Sequence, residues 1–204
     1  MDTEKILIQG RRLELRPLKQ EDHPAVYNWM QEGVFVNTCS TTPLPDRLVA
    51  FSKLLERYIR VGRCYRLIVE RQSGAGIGFV YDYSIHKDDA YSYATIYLDV
   101  KSRSAWNGSE AMLMFLIELF MVGGMNKVYL EVFEYNQASL SVIKNAGFDL
   151  EGQFPDERLH RGRRWTRNCF AVYPRHVSVL VHRIGRRVLS PATIDRWQDW
   201  SKLL

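Results

Sequence analysis

Between Ala111 and Met125 the chain carries its longest apolar run, broken only by Glu118 and by the pair Gly123-Gly124. The run is too long for one strand and too interrupted for a membrane span, so it predicts a buried helix over Ser109 to Val122. The two glycines stop that helix, and VYLEVF (Val128 to Phe133) reads as a buried strand after it. With 204 residues, 46% of them hydrophobic and 25% charged, the chain has material for one core and a small appendage. Wholesale disorder is excluded.

The segments around this helix alternate between two periods. RLELRP (Arg12 to Pro17) reads as an opening strand, and Lys19 to Gln31 carries Val26, Trp29 and Met30 at helical spacing. A turn-rich stretch, Asn37 to Asp46, leads into a second helix over Asp46 to Arg60. YRLIVE (Tyr65 to Glu70), IGFVYDYS (Ile77 to Ser84) and YSYATIYLDV (Tyr91 to Val100) are strands of an antiparallel meander, separated by turns rich in Gly, Asp or Ser. After Lys101 to Asn107, a loop, come the apolar helix and strand. A short helix over Gln137 to Asn145 ends at Gly147, and two strands, Asp149 to Arg158 and Arg163 to Tyr173, pair around His160, Arg161 and Gly162. The order β-α-α-β-β-β-α-β-α-β-β predicts an α/β (α+β) fold. Its central sheet is mixed and mostly antiparallel, of about seven strands flanked by about four helices. Residues 1–174 read as one domain and 175–204 as a C-terminal helical extension. Ile194, Trp197, Trp200 and Leu203 form one apolar face there, set for the domain's own surface or for a partner subunit in a homodimer.

Three widely spaced cysteines, Cys39, Cys64 and Cys169, form neither a metal-ligand pattern nor a secretory disulfide framework. They read as reduced thiols of a cytosolic protein. The opening MDTEKILIQGRRLELRP lacks the apolar core of a signal peptide. A soluble, cytoplasmic protein without metal or membrane partner is expected. The formal charge of +5 suits phosphate-bearing ligands, nucleotide or RNA, and equally a solvated basic surface.

Two constellations carry chemistry. Arg103-Ser104-Ala105-Trp106-Asn107-Gly108-Ser109 stands at the start of the apolar helix, where unpaired N–H groups and the positive end of the dipole suit a pyrophosphate. Asn136-Gln-Ala-Ser139, with Gly147-Phe148 beyond it, places an asparagine at a strand end opening a helix. There it caps the helix or holds a ligand amide.

Together these residues resemble the GCN5-related N-acetyltransferase (GNAT) superfamily, and within it the RimJ/RimL-like branch. RLELRPLKQEDHPAVYNWM is similar to that branch's opening strand and helix, and NQASLSVIKNAGFDLEGQF to its asparagine–serine–glycine–phenylalanine signature. The resemblance covers about Arg12 to Tyr173 and implies acetyl-CoA as donor, with an amine as acceptor. It implies that the strand Ala94 to Val100 offers backbone groups to the pantetheine arm, with an N–H of Leu98, Asp99 or Val100 polarising the thioester carbonyl. Arg103, Ser104, Trp106, Asn107, Gly108 and Ser109 would wrap the pyrophosphate, Asn136 would contact the cofactor, and Ser139 would sit near its sulfur. Trp106 departs from the family's loop, which has glycine there. If the position needs a left-handed backbone the tryptophan strains it; otherwise the N–H groups still bind.

Sheet alternation places Thr95, Tyr97 and Asp99 on one side of their strand, and Tyr129, Glu131 and Phe133 on one side of theirs. Glu131, a carboxylate in an otherwise apolar strand, is the candidate general base or water anchor; its other use is an ion pair. Many superfamily members protonate the leaving thiolate with a tyrosine at the site occupied by Ile143, a role the RimL-like branch gives to a serine, here Ser139. The expected function is transfer of an acetyl group from acetyl-CoA to a primary amine of a protein N-terminus or small molecule. The alternatives are an acyl-ligand or partner-binding GNAT fold without turnover, suggested by Trp106 and Ile143, and an RNA-binding protein, suggested by HRGRRWTRN (His160 to Asn168).

Overall fold

A computed structural model describes residues 8–39 and 43–204; the opening heptapeptide and residues 40–42 of the turn-rich stretch lie outside the described residues. Segments with period-two patterning form one seven-stranded sheet. They are β1 (Leu13–Pro17), β2 (Tyr65–Glu70), β3 (Gly76–His86), β4 (Tyr91–Leu98), β5 (Lys127–Phe133), β6 (Asp149–His160) and β7 (Arg163–Val172). Their spatial order is β1-β2-β3-β4-β5-β7-β6, and every neighbouring pair is antiparallel except β4–β5. A parallel pair needs a crossover, and helix α4 (Ala105–Met121) supplies it.

Three helices, α1 (His23–Gln31), α2 (Gly33–Thr38) and α3 (Leu48–Arg60), cover one face. Val26, Phe35, Phe51 and Leu55 pack there on Leu67, Phe79 and Tyr97. The opposite face buries α4 against Ile68, Val80, Val128 and Leu130, and α5 (Gln137–Ala146) adds Leu140 against Val132 and Phe170. The last residues form α6 (Pro174–Leu180), a π-helical turn over Val181–Gly185, α7 (Arg186–Val188) and α8 (Pro191–Ser201). Val177, Val181, Val188, Leu189 and Trp197 from these elements lie in the same core cluster as α4.

The structure departs from the sequence reading at several points. Helix α4 begins at Ala105 rather than Ser109, because the Ser104 hydroxyl accepts the Asn107 N–H at 3.0 Å and caps the helix. Strand β4 ends at Leu98, where Asp99 turns the chain into a 3₁₀ turn over Val100–Ser102 by accepting the Lys101 N–H. Helix α2 covers residues assigned no element and takes Asn37 and Thr38 from the stretch read as turn-rich, since six residues give too little periodicity to read. Leu203 is 84% exposed and lies beyond the end of α8, off the expected apolar face. Among the described residues no helix is long and apolar enough to cross a membrane.

Candidate active site

Strands β4 and β5 pair at Tyr91–Lys127, Ser92–Val128 and Tyr93–Tyr129, and among the described residues their pairing ends there. Beyond it β4 stays with β3 as far as Leu98, and β5 stays with β7 as far as Phe133. The two parallel strands therefore splay into a wedge. The Asp99 N–H donates to Ile77 O of β3 at 2.8 Å, so alternation turns the polar backbone groups of Ile96 and Leu98 to the open edge. Side chains attend these carbonyls: Cys39 Sγ donates to Ile96 O at 3.8 Å, and Arg103 Nε to Leu98 O at 2.9 Å. Burial pushes the Cys39 thiol up to about 11, so it stays a neutral donor.

The wedge opens toward the start of α4. Ser104 caps Asn107, Gly108 N–H bonds Ser104 O, and Asn107 Nδ2 donates to Ser102 O at 2.9 Å. The N–H groups of Ala105 and Trp106, in the first turn, have no intrahelical acceptor. Gly108 faces Leu98 with room to spare: a Cβ there would meet only Leu98 Cδ1, at 3.9 Å. Trp106 stands in helical conformation, absent from the positive-φ residues. Its ring is 42% exposed, with the Arg187 guanidinium 5.9 Å from its centroid. The indole neither strains the loop nor fills the wedge.

On the helical face of the sheet a cavity of about 660 Å³ lies between α1–α3 and the strands, and Glu131, Phe133, Thr95 and Cys39 at the wedge line it. Glu131 is held from two sides. Tyr83 Oη donates to its Oε2 at 2.9 Å, and Arg167 Nη1 pairs with its Oε1. Arg167 also grips Glu157, through Nε at 2.5 Å and Nη2 at 2.7 Å. Burial raises the Tyr83 phenol to about 12, so it remains a donor. The Tyr97 hydroxyl donates to Glu32 between α1 and α2, and Trp29 Nε1 donates to Asp99 Oδ2 at 3.2 Å. These two bonds tie the helical layer to the end of β4.

A model of the acetyltransferase (GNAT) domain matches residues 12–149. The chain belongs to this GNAT family. It is an acetyl-CoA-dependent N-acetyltransferase. The spermidine N-acetyltransferase of Vibrio cholerae, solved with CoA and spermine, superposes with a TM-score of 0.74 at 17% identity, over 81% of this chain and 98% of that one. A chimera of that enzyme, SpeG, with hSSAT gives 0.70 at 18% identity, over 79% and 95%. At such identities the likeness is one of fold. No curated protein sequence matches the chain.

Against the GNAT fold, the sequence-derived residues divide into two groups. Leu98, Val100, Arg103, Ser104, Trp106, Asn107, Gly108 and Ser109 gather around the mouth of the wedge and the first turn of α4. Asn136 Oδ1 accepts the Ser139 N–H at 3.4 Å and caps α5, and Ser139 is exposed on that helix's first turn. The N–H of Asp99 is occupied by Ile77, so this group is not open to a ligand. Tyr83, Arg167 and Arg63 were not singled out by the sequence, and Cys39 only as a reduced thiol. Arg167 had a readable signal, because β7 alternation puts it diagonally across from Glu131, through the pairs Phe133–Arg167 and Glu131–Cys169. The residues present suit acetyl-CoA: an unpaired strand edge for its amides, a capped helix start with free N–H groups, and an arginine beside both.

Proposed function

We propose that this acetyltransferase acts on a primary amine that enters the aromatic cavity and meets the acyl group where β4 and β5 part. Bound acetyl-CoA would supply an activated acyl carbon and a thiolate leaving group. The open edge at Ile96 and Leu98 would receive the pantetheine amides as an added strand, once the Arg103 and Cys39 side chains yield those carbonyls. Arg103, freed from Leu98 O, would turn to the pyrophosphate alongside the N–H groups of Ala105 and Trp106. The backbone N–H of Leu98 or Val100 would polarise the thioester oxygen.

Glu131 Oε would take the proton lost by the amine, directly or through one water, with Tyr83 and Arg167 fixing its orientation. An α-amine with a pKa of about 8 asks less of this base than an alkylammonium of about 10.4. Ser139 Oγ, at the start of α5, would hydrogen-bond the departing sulfur. The RimJ/RimL-like branch, action in the cytoplasm and a homodimer through exposed apolar side chains of the C-terminal segment complete the reading. The free cysteines support the second of these, and exposed Val179 and Leu203 support the third. The amine chemistry named for the structural relatives supports the acceptor class.

The single observation that carries the reading is the splay of β4 from β5 with Glu131 facing the gap. Calorimetry with CoA, followed by thiol release from acetyl-CoA over a panel of amines, tests it. Glu131→Gln is expected to keep CoA affinity and lower kcat by about 10²-fold or more. Unchanged kcat would remove Glu131 from the chemistry, and absent CoA binding would overturn the reading itself.

A further inference from the structure

The cavity has an ordered interior. Its floor is a lane of rings across three strands: Tyr65 and Tyr81 stack at 4.8 Å and 3°, Tyr81 and Tyr83 follow at 5.9 Å, and Tyr83 and Tyr93 at 5.4 Å. Phe35, Phe51, Leu55 and Tyr58 from the helices roof it. At one end Tyr83 Oη touches Glu131. At the other, beside Tyr65, Arg63 lies over the Tyr58 ring at 3.9 Å and forms no ion pair among the described residues.

Charge decides what such a lane admits. The lining carries two carboxylates, Glu131 and Glu157, and both are held by one guanidinium, that of Arg167. With Arg63 the four formal charges sum to zero. A linear polyamine brings two or more ammonium groups, and each one beyond the reacting nitrogen would lose its water without an unpaired carboxylate to receive it. Flat apolar bodies instead gain contact with ring faces at spacings suited to stacking. Arg63, stacked on the Tyr58 ring and hydrogen-bonded to the Tyr65 phenol, feels Asp82 only at longer range, so several of its five donors remain for a carboxylate or other anion to fill.

We propose that the acceptor of this enzyme is a monoamine with an aromatic body and an anionic group at the end remote from the amine, its amine at Glu131 and its anion at Arg63. The proposal rests on the acetyltransferase reading and makes Arg63 and the tyrosine lane its specificity determinants. The polyamines named for the structural relatives are then poor substrates here.

Initial rates of thiol release with saturating acetyl-CoA test this on the full chain, using para-carboxylated phenethylamine, phenethylamine and spermidine as probes. The expected order of kcat/KM is that order, with each step at least about tenfold. Arg63→Gln is expected to bring the two phenethylamines to equal kcat/KM, chiefly through KM for the carboxylated one, and Arg63→Lys to restore part of the difference. Thermal melts of both variants report whether they fold. Spermidine as the best acceptor overturns the proposal and leaves the acetyltransferase reading intact. A preference for the carboxylated probe that survives Arg63→Gln removes Arg63 from recognition and overturns it too. CoA binding without turnover of any probe defeats the acceptor class, whereas absent CoA binding defeats the underlying reading.

Discussion

Burial pushes the carboxyl of Asp82 up to about 6, against the relief given by the Cys64 N–H that donates to it. The residue is 3% exposed on the α4 side of β3. A carboxyl raised in the folded state binds its proton more tightly than the unfolded chain does, so its contribution is most favourable below about pH 4 and is lost as pH rises through about 6. At neutral pH the charged form costs about 3 kcal/mol. Asp82→Asn is therefore expected to melt higher than the parent at about pH 8, the difference vanishing near pH 4; a constant difference across that window would refute the burial argument. Trp106 makes a second residue-scale test. The resemblance set its indole where a glycine is usual, yet the position is helical. Trp106→Gly should thus destabilise by about 1 kcal/mol, the cost of glycine within a helix, rather than relieve strain, and a melting temperature lowered by about 2–4 °C would register it. At this scale the sequence disclosed residues whose type is unusual for their surroundings, such as Glu131 amid apolar neighbours and Asn136 at a helix start. Tyr83 stayed hidden because its meaning comes from a contact across 48 positions of chain, which no local pattern encodes; Arg167, 36 positions from Glu131, becomes readable only once β5 and β7 are paired in register.

Helix α4 organises the elements around it through two carboxylates on one apolar rod. Glu110 is fully buried and accepts from the backbone N–H groups of Arg12 and Leu13 at 2.7 and 2.8 Å and from Arg12 Nε at 3.0 Å. It thereby fixes where β1 begins. Gly10 permits the approach, since a Cβ there would fall 2.3 Å from Glu110 Oε1. Near the other end Glu118 takes Arg66 Nε of β2 at 2.9 Å. Glu110→Ala leaves two backbone donors and a guanidinium without their acceptor, and is expected to cost about 3–5 kcal/mol in urea denaturation. Glu110→Gln, which keeps an acceptor oxygen, should cost less; equal losses would show that packing rather than these bonds anchors β1. Element identity was well marked in the sequence because strands and helices have different hydrophobic periods, and each of the seven strands overlaps a segment read as a strand. Boundaries were marked less well. Ser-Ala-Trp-Asn-Gly resembles a loop in composition, and the hydroxyl of Ser104 decides its conformation by capping. The wedge itself had no periodic signature: β4 keeps alternating past Tyr93 whether or not a neighbour pairs with it.

The whole molecule is closed on one face by its last thirty residues. Helix α4 buries side chains around most of its circumference, and a helix apolar on all sides needs cover on all sides. The sheet covers one side, and α6 to α8 cover another, where Trp197 is 1% exposed and packs 6.4 Å from Phe120. Backbone bonds join the two termini of the chain: Arg11 N–H to Val188 O at 2.9 Å and Ser190 N–H to Gln9 O at 3.0 Å, with the Thr193 hydroxyl donating to Gln9 O at 3.0 Å. Removing residues 174–204 would strip Val177, Val181, Val188, Leu189 and Trp197 from the core. At about 1.5–3 kcal/mol for each large apolar side chain, the loss is on the order of 10 kcal/mol, comparable with the 5–15 kcal/mol that typically holds a domain folded. A chain ending at Tyr173 is therefore expected to lose cooperative unfolding and CoA affinity together, even though the wedge, the start of α4 and the aromatic cavity all precede the cut. Circular dichroism melts and calorimetry on the shortened chain measure both. Retention of a sharp transition with CoA binding would mean that residues 1–173 form a self-sufficient unit, and that the C-terminal helices serve association instead of the core.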